Sequence, residues 1–237
     1  MSYLIVIFVI SVLIIAHELG HFIVAKLAGI SIARFSVGFG SRIAGFKKGE
    51  TEYRLSVFPV GGYVLPAAED ESGFFRIPVI KRIIFCLGGP LANIIFAAIL
   101  FALLNTVNSG LSFSNIFISP FMQTAALFYD LIRSFLQVFS KPGQLSGIIG
   151  VVAQGSGYIG MSITRIIQFG IVLNLNLAFF NLIPVPALDG GKIILFILEK
   201  VNPKLVRLHV PLAIAGWLLL SGLLVYTAIM DIGRILI

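Results

Sequence analysis

The chain is poor in cysteine and in charged residues. Of its 237 residues only Cys86 is a cysteine, so no intramolecular disulfide can form and a zinc site of four cysteines is excluded. Only 11% of the residues are charged and 58% are hydrophobic, whereas a soluble globular domain is roughly 25% charged. The composition therefore argues against a soluble domain and indicates a polytopic membrane protein.

The small set of charges is unbalanced, with a net charge of +7. In a soluble protein this excess would suggest nucleic acid, but in a membrane protein basic residues mark the cytoplasmic loops. The N-terminus has no basic start and no clear small-residue cleavage site, so a cleaved signal peptide is not expected. We therefore use the basic residues to predict orientation.

Four segments, 3–28, 80–106, 158–183 and 209–236, reach the length of about 20 apolar residues that spans a bilayer. Residues 34–65 alternate in the manner of strands and are rich in glycine, which predicts a membrane-associated β-hairpin or small sheet. Residues 66–76 are expected to form a mobile loop. Segment 121–139 carries Asp130 and Arg133 near its centre, where a membrane span would tolerate them poorly. We predict an interfacial amphipathic helix there, and one α-helical membrane domain over residues 1–237.

Basic residues concentrate in the first and third connections between the predicted spans. The 107–157 connection has only Arg133 and Lys141. The positive-inside rule therefore predicts that both termini lie outside and that connections one and three are cytoplasmic. The basic residues of those connections are Arg34, Arg42, Lys47, Lys48, Arg54, Arg76, Lys81, Arg82, Lys192, Lys200, Lys204 and Arg207.

The first span contains the sequence His17-Glu18-Leu19-Gly20-His21, an H-E-x-x-H motif. On a helix, positions i and i+4 share a face, so His17 and His21 can hold one Zn²⁺ ion. Glu18 stands where the general base of a zinc hydrolase is found. His17 is about 21 Å from the outer end of its helix at 1.5 Å per residue, in the cytoplasmic half of the bilayer.

A catalytic zinc site needs a third protein ligand, and Asp189 is the strongest candidate. It follows Pro184 and Pro186 at the cytoplasmic end of the third span and precedes two glycines. Prolines end a helix, and irregular backbone at membrane depth is tolerated only inside protein or beside a watery cavity. A carboxylate at such a place is expected to be functional.

Six segments carry a resemblance to a known family: HELGH at 17–21, FSVGFG at 35–40, PVGGY at 59–63, GPLAN at 89–93, LSG at 145–147 and residues 181–191. In this order they resemble the site-2 protease family of intramembrane zinc metalloproteases, most closely its bacterial branch that cleaves anti-sigma factors. That branch usually carries PDZ domains between the second and third spans, and the connection of about 50 residues here is too short for one.

The resemblance implies that His17, His21 and Asp189 are the zinc ligands and that Glu18 is the catalytic base. It implies that Asn176 and Asn181 contact the substrate backbone. It further implies a single-pass membrane protein as substrate, such as a trimmed anti-sigma factor or a remnant signal peptide, and a bacterial plasma membrane as the location. Asn93 is interpreted as a helix-packing residue.

A membrane-spanning substrate hides its peptide bonds in helical hydrogen bonds and must unwind before cleavage. The predicted hairpin offers an exposed strand edge to which an extended peptide could add. Its glycines would allow close approach of the substrate backbone. Those glycines are Gly38, Gly40, Gly61 and Gly62.

Three alternatives belong to other classes. A transporter with a helix broken at Pro184 would need neither zinc nor Glu18, but no internal repeat is found. A zinc protease acting on soluble peptides would need an aqueous domain, and no segment is large enough to form one. A catalytically inactive scaffold is opposed by the intact set of His17, Glu18, His21 and Asp189.

Overall fold

A computed structural model describes residues 1–67, 71–138 and 146–236. A π-helical turn at Ser114–Ile118 and a 3₁₀ segment at Pro203–Leu208 accompany the regular elements. In chain order these elements are α1 (Ser2–Leu27), β1 (Ile32–Lys48), β2 (Thr51–Pro66), α2 (Glu71–Arg76), α3 (Val79–Ser109), α4 (Ser119–Val138), α5 (Ile148–Ile159), α6 (Ile163–Leu182), α7 (Asp189–Val201) and α8 (His209–Leu236).

Within the described ranges, four helical stretches are long and apolar enough to cross a membrane: Ser2–Leu27, Val79–Ser109, Ile163–Leu182 and Pro203–Arg234. They confirm the predicted helical membrane fold. The third stretch begins later than the predicted residue 158, because Gly160 has a φ of 49° and ends α5 there. Residues 148–159 therefore form a separate short helix.

Helices α1 and α3 approach each other closely through glycine. A Cβ atom at Gly20 would overlap the carbonyl group of Gly88, and a Cβ atom at Gly88 would lie 2.8 Å from the carbonyl oxygen of Gly20. Residues without a Cβ let helix backbones come together in membrane proteins. This contact places the His17 and His21 face of α1 directly against α3.

Helices α3, α4 and α6 enclose the main apolar cluster. Ala97 of α3 packs with Ile171 and Leu175 of α6, all nearly inaccessible to solvent. Leu127, Phe128 and Leu131 on one face of α4 pack against this cluster, which is the one-sided burial of an amphipathic helix. Helix α4 lies on the segment predicted as interfacial; residue 139 of that prediction lies outside the described residues.

The predicted β-region forms two long strands that bend and pair with each other. Around the turn at Gly49, Lys48 pairs with Thr51; farther along, Phe35 pairs with Val64 on one side and with Tyr53 on the other. Phe22 of α1 contacts the rings of both Phe35 and Tyr53. The first half of β1 is thus flanked on both sides by β2 and held against the C-terminal end of α1.

The predicted mobile loop at 66–76 is partly wrong, because residues 71–76 form the short helix α2; residues 68–70 lie outside the described part. A second helix missing from the prediction is α7, which occupies the basic connection after α6. Its 13 residues are too few to span a bilayer, and it packs against α3.

The junction between α6 and α7 is tightly wound. Helix α6 ends at Leu182, before Pro184, and α7 begins at Asp189. A Cβ atom at Gly190 would overlap the carbonyl group of Leu182. The two prolines therefore end the span as predicted, and the glycine lets the connecting backbone fold onto the first turn of α7.

A buried ion pair joins α3 to α7. Arg82 is 1% exposed, and its two terminal nitrogens donate to the two carboxylate oxygens of Glu199 at 2.8 and 2.6 Å. This hydrogen-bonded partner holds the pKa of Glu199 below its ordinary value. His209 at the start of α8 is also buried, with Nε2 3.3 Å from Glu199 Oε2.

Candidate metal centre

Three side chains from α1 and α7 converge on one point. His17 Nε2 and His21 Nε2 are 3.1 Å apart, and each lies 3.2 Å from Asp189 Oδ2. All three residues are buried, with exposures of 5–6%. Among the described residues this is the one group of three histidine, cysteine or acidic residues that could hold a metal ion.

The size of this triangle matches a tetrahedral zinc ion. Two ligand atoms that each lie about 2.0–2.1 Å from such an ion are about 3.3 Å apart. The three observed separations of 3.1–3.2 Å fall close to that value. Two imidazoles and one carboxylate form a donor set of catalytic zinc sites, which leave a fourth position open. The residues present therefore fit zinc.

The wall behind the imidazoles is the backbone of α3. His21 Nδ1 lies 2.8 Å from the carbonyl oxygen of Phe85, to which an Nδ1–H group donates. Such a bond leaves Nε2 unprotonated and facing the centre. A Cβ atom at Gly89 would overlap both imidazole rings, so this position must be glycine for the rings to adopt their places.

Asp189 is held at the first residue of α7, where the helix dipole favours a negative charge. Its second oxygen, Oδ1, lies 3.4 Å from Lys192 Nζ. Burial alone would raise the pKa of the Asp189 carboxyl, but hydrogen bonds with His17 and His21 and the charge of Lys192 hold it well below its ordinary value. The carboxyl is therefore anionic, as a carboxylate that binds a metal must be.

Glu18 lies beside the triangle and faces the part of β2 that follows the bend at Gly61. The side-chain Cγ of Glu18 is 3.3 Å from where a Cβ atom of Gly62 would lie. The backbone of Val64 is within hydrogen-bonding reach of the Glu18 carboxyl. Glu18 is partly accessible while the neighbouring histidines are buried, so it separates the metal centre from the hairpin.

The predicted substrate-binding glycines divide into two groups. Gly62 adjoins Glu18, whereas Gly38, Gly40 and Gly61 lie at the bends of the strands with φ values of 87°, 90° and 110°. Few residues other than glycine adopt these values. The three bend glycines therefore have a conformational reason to be glycine, independent of any substrate.

The predicted substrate-binding amides lie on α6. Asn176 donates to the carbonyl of Val172 and Asn181 to that of Leu177, each one turn earlier in the same helix. No hydrogen bond found in the described ranges joins either amide to the three converging side chains. Their predicted contact with substrate stays a prediction.

Sequence reasoning missed three neighbours of the centre: Phe85 through its carbonyl, Asn93 and Lys192. Asn93 Nδ2 lies 3.2 Å from His17 Nδ1, although Asn93 was interpreted as a packing residue. A usable signal was present, because Phe85, Gly89 and Asn93 recur every four residues on one face of α3. Lys192 follows Asp189 by three residues and so shares its helix face.

Comparison with known proteins agrees with this centre. The family model for peptidase family M50 matches residues 5–223. A protein of Synechocystis named as a zinc metalloprotease is 24% identical over 94% of this chain and 92% of its own length. A Helicobacter pylori protein named in the same way is 22% identical over 99% of this chain and its whole length.

Other relatives match more locally. A Clostridium perfringens protein, also named as a zinc metalloprotease, is 46% identical over 38% of this chain and 29% of its own length. A chloroplast protein of Arabidopsis thaliana named as a membrane metalloprotease is 24% identical over 82% of this chain and 70% of its own length. With a family match over most of its length and a metal triangle that fits zinc, this chain belongs to peptidase family M50, the site-2 proteases, and is a multi-pass membrane zinc metalloprotease.

Proposed function

We propose that this protein is an intramembrane endopeptidase that hydrolyses a peptide bond in or near the membrane-spanning segment of a single-pass membrane protein. His17, His21 and Asp189 hold the Zn²⁺ ion, and Glu18 is the general base. The observation that carries the proposal is the buried triangle of ligand atoms, two of which lie on a helix long enough to cross a bilayer. Buried ionisable side chains inside a membrane protein are expensive unless they serve a function.

Each residue has a distinct task. Bound zinc supplies Lewis-acid chemistry that activates water and polarises the scissile carbonyl. Asp189 contributes negative charge to the ligand set, and the bond from His21 to the Phe85 carbonyl keeps the Nε2 lone pair directed at the metal. Glu18 accepts a proton from water and delivers it to the leaving amine.

We propose that the substrate is bound as an added strand along Gly62–Pro66 of β2. This stretch pairs with β1 on one side, and no strand within the described residues pairs with its other edge. Because Gly62 and Val64 adjoin Glu18, a peptide added here would pass the metal centre in extended form. Added strands are bound mainly through main-chain hydrogen bonds.

Backbone methylation tests this mode of binding. An extended peptide that ends in a hydroxamate is compared with the same peptide methylated on alternate backbone nitrogens, in both phases. If one phase of methylation weakens inhibition about tenfold per lost hydrogen bond and the other does not, strand addition is supported. Equal inhibition by both phases contradicts it.

The remaining predicted contacts belong to the same substrate path. We propose that Asn176 and Asn181 bind the substrate backbone through their carbonyl oxygens, since their Nδ2 groups donate within α6. The substrate would be a membrane protein shortened by an earlier cleavage, such as a trimmed anti-sigma factor or a remnant signal peptide. The proposed location is a bacterial plasma membrane, with both termini outside and the metal centre toward the cytoplasm.

Cleavage by paired variants tests the proposed function. The protein and its Glu18→Gln variant are co-expressed with a tagged single-pass substrate whose outer domain has been shortened. We expect only the wild type to release the cytoplasmic fragment, with a zinc chelator stopping release, because general-base catalysis contributes about 10²–10⁴-fold. Glu50→Gln, the same change at the exposed hairpin turn, serves as the matched control and should cleave normally.

The outcomes separate the alternatives. Release by both the wild type and the Glu18→Gln variant would contradict the role of the base, and an absence of bound zinc would contradict the ligand set. No cleavage across several substrates by a zinc-loaded wild type would favour an inactive scaffold. Fragment analysis by mass spectrometry then identifies the bond that is cut.

A further inference from the structure

One amide in the wall of the metal centre has no role in the function proposed above. Asn93 is on α3, one turn after Gly89, and its side chain is completely buried. Its amide lies 3.2 Å from His17 Nδ1, the ring nitrogen that points away from Asp189. Asn93 therefore occupies, beside His17, the place that the Phe85 carbonyl occupies beside His21.

The chemistry of imidazole restricts what Asn93 can do. A neutral imidazole that binds a metal through Nε2 carries its proton on Nδ1, and that N–H group needs an acceptor. An asparagine side chain offers both a donor end and an acceptor end of nearly equal size, and the hydrogen-bond network decides which end faces a neighbour. Only the oxygen end satisfies an Nδ1–H group on His17.

Only one end of the buried Asn93 side-chain amide has a hydrogen-bond partner among the described residues. As placed, Asn93 Nδ2 faces His17 and Asn93 Oδ1 has no hydrogen-bond partner among the described residues. A buried acceptor without a partner costs free energy. Turning the amide by 180° gives Oδ1 a donor at His17 Nδ1 and moves Nδ2 to the other position, so the proton on Nδ1 of a metal-bound His17 selects this orientation.

The neighbouring helix α6 fixes the position of Asn93. Asn174 is also completely buried, and its Nδ2 donates to the backbone carbonyl of Asn93 at 2.6 Å. This bond joins α6 to α3 at the turn that carries the amide. Asn174 thus helps to fix the backbone from which the Asn93 side chain extends, and no hydrogen bond found in the described ranges joins Asn174 to His17.

We infer that Asn93 is a positioning residue of the metal centre: its amide oxygen accepts the Nδ1–H of His17 and so directs the Nε2 lone pair to the metal. The inference rests on the proposed zinc ligands and adds to them a partner for His17. His21 has a backbone carbonyl for this purpose, whereas His17 depends on a side chain, so His17 is the ligand that a single substitution can release.

Metal affinity measured without substrate tests the inference. Zinc dissociation constants are determined by chelator competition in detergent for the wild type and for Asn93→Leu, which has a similar branched shape and no acceptor. Loss of such a partner lowers metal affinity by about 10–100-fold, and we expect that loss for Asn93→Leu. Asn93→Asp keeps an acceptor oxygen and is expected to bind zinc at least as tightly as the wild type.

Two matched variants separate positioning from packing and from charge. Asn174→Leu removes an equally buried amide between α3 and α6, and we expect a lower unfolding temperature with a much smaller loss of zinc affinity. Asn174→Asp adds the same charge as Asn93→Asp without placing an acceptor at His17. Equal losses of affinity in Asn93→Leu and Asn174→Leu would overturn the inference, and so would wild-type affinity in Asn93→Leu.

A spectroscopic measurement on the wild type keeps the test decisive if Asn93→Leu does not fold. The chain has three histidines, so ¹⁵N-histidine spectra of the protein loaded with ¹¹³Cd are simple to assign. We expect coupling of cadmium to His17 Nε2 and a slowly exchanging His17 Nδ1–H. Metal bound to His17 Nδ1 overturns the inference, while a wild type that binds no metal also overturns the proposed ligand set.

Discussion

Glycine serves different purposes on the two sides of Glu18. On the helical side, Gly88 and Gly89 are glycine because a Cβ atom would collide with α1 or with the two imidazoles. On the hairpin side, Gly38, Gly40 and Gly61 have positive φ values that suit glycine whatever the surrounding space. On the helical side, the available space therefore restricts these positions to glycine. On the hairpin side, the backbone conformation does so.

The two sides of Glu18 also differ in how far their residues are buried. His17 and His21 are 5–6% exposed, whereas Phe46 at the end of the hairpin is 61% exposed and Phe58 near its bend is 66% exposed. A closely packed helical wall holds the proposed metal ligands at fixed separations, and an exposed hairpin can accommodate a further strand. Changes on the helical side should therefore alter metal binding, and changes on the hairpin side should alter substrate handling.

The largest expected effect is that of Gly89→Ala. Its Cβ would overlap both imidazoles, so we expect zinc affinity to fall more than about 100-fold, beyond the range for loss of an outer partner, and cleavage to disappear. Zinc content after dialysis and the cleavage assay measure this. Gly222→Ala, a helical glycine of α8 with nothing within 4 Å of the added Cβ, is the control, and normal zinc content in Gly89→Ala would contradict the space argument.

The second prediction compares ion pairs on the two sides. Arg82→Met leaves the largely buried Glu199 without the guanidinium that pairs with it, at a cost of about 3–5 kcal/mol. Arg42→Met removes a half-exposed partner of Glu52 in the hairpin, at about 0–1 kcal/mol. Unfolding in detergent measures both free energies, and similar costs for the two variants would remove the distinction between the regions.

The Arg82 pair also has a pH signature. Because the pKa of Glu199 is held low in the folded protein, the pair stabilises the fold above the ordinary carboxyl pKa of about 4.3. This contribution is lost as the pH falls through the lowered folded-state pKa. The acid-induced loss of stability should therefore be smaller in Arg82→Met than in the wild type.

Gly62→Ala addresses the boundary between the regions. Its Cβ would lie 2.7 Å from the carbonyl oxygen of Ser36 and 3.3 Å from the Cγ of Glu18. Displacement of a catalytic group by about 1 Å can cost about 100-fold in rate, so we expect cleavage to slow by about 10–100-fold with zinc affinity unchanged. Gly49→Ala at the hairpin turn is the control, and weakened zinc binding in Gly62→Ala would show that the hairpin is part of the metal centre.

The smallest effect is expected far from Glu18, at Asp231 of α8. Asp231 accepts hydrogen bonds from the backbone nitrogens of Gly147 and Gly150 at the start of α5. Asp231→Asn weakens this cap, at about 1 kcal/mol, and should leave zinc affinity and cleavage unchanged. A change in zinc affinity or in cleavage would show that the functional region extends to α5 and α8.

The predictions from sequence succeeded where the information is local. The H-E-x-x-H spacing sets two imidazoles on one helix face, and the length of each apolar run sets the spans. They failed at α2 and α7, since a helix of 6 or 13 residues between spans has no length signal. The start of α6 was placed too early, because an apolar run does not reveal the backbone reversal at Gly160.

The sequence by itself determined the membrane-spanning helices, the paired histidines with their adjacent glutamate, and the break that precedes Asp189, because periodicity, length and proline act within a few residues. The tertiary structure alone decided the second set of partners around the centre. The Phe85 carbonyl, the Asn93 amide and the edge at Gly62 come from segments distant in the chain. They meet the histidines and Glu18 only because glycine lets α1 and α3 pack together and lets the strands bend back, and such contacts depend on packing between elements rather than on any local pattern.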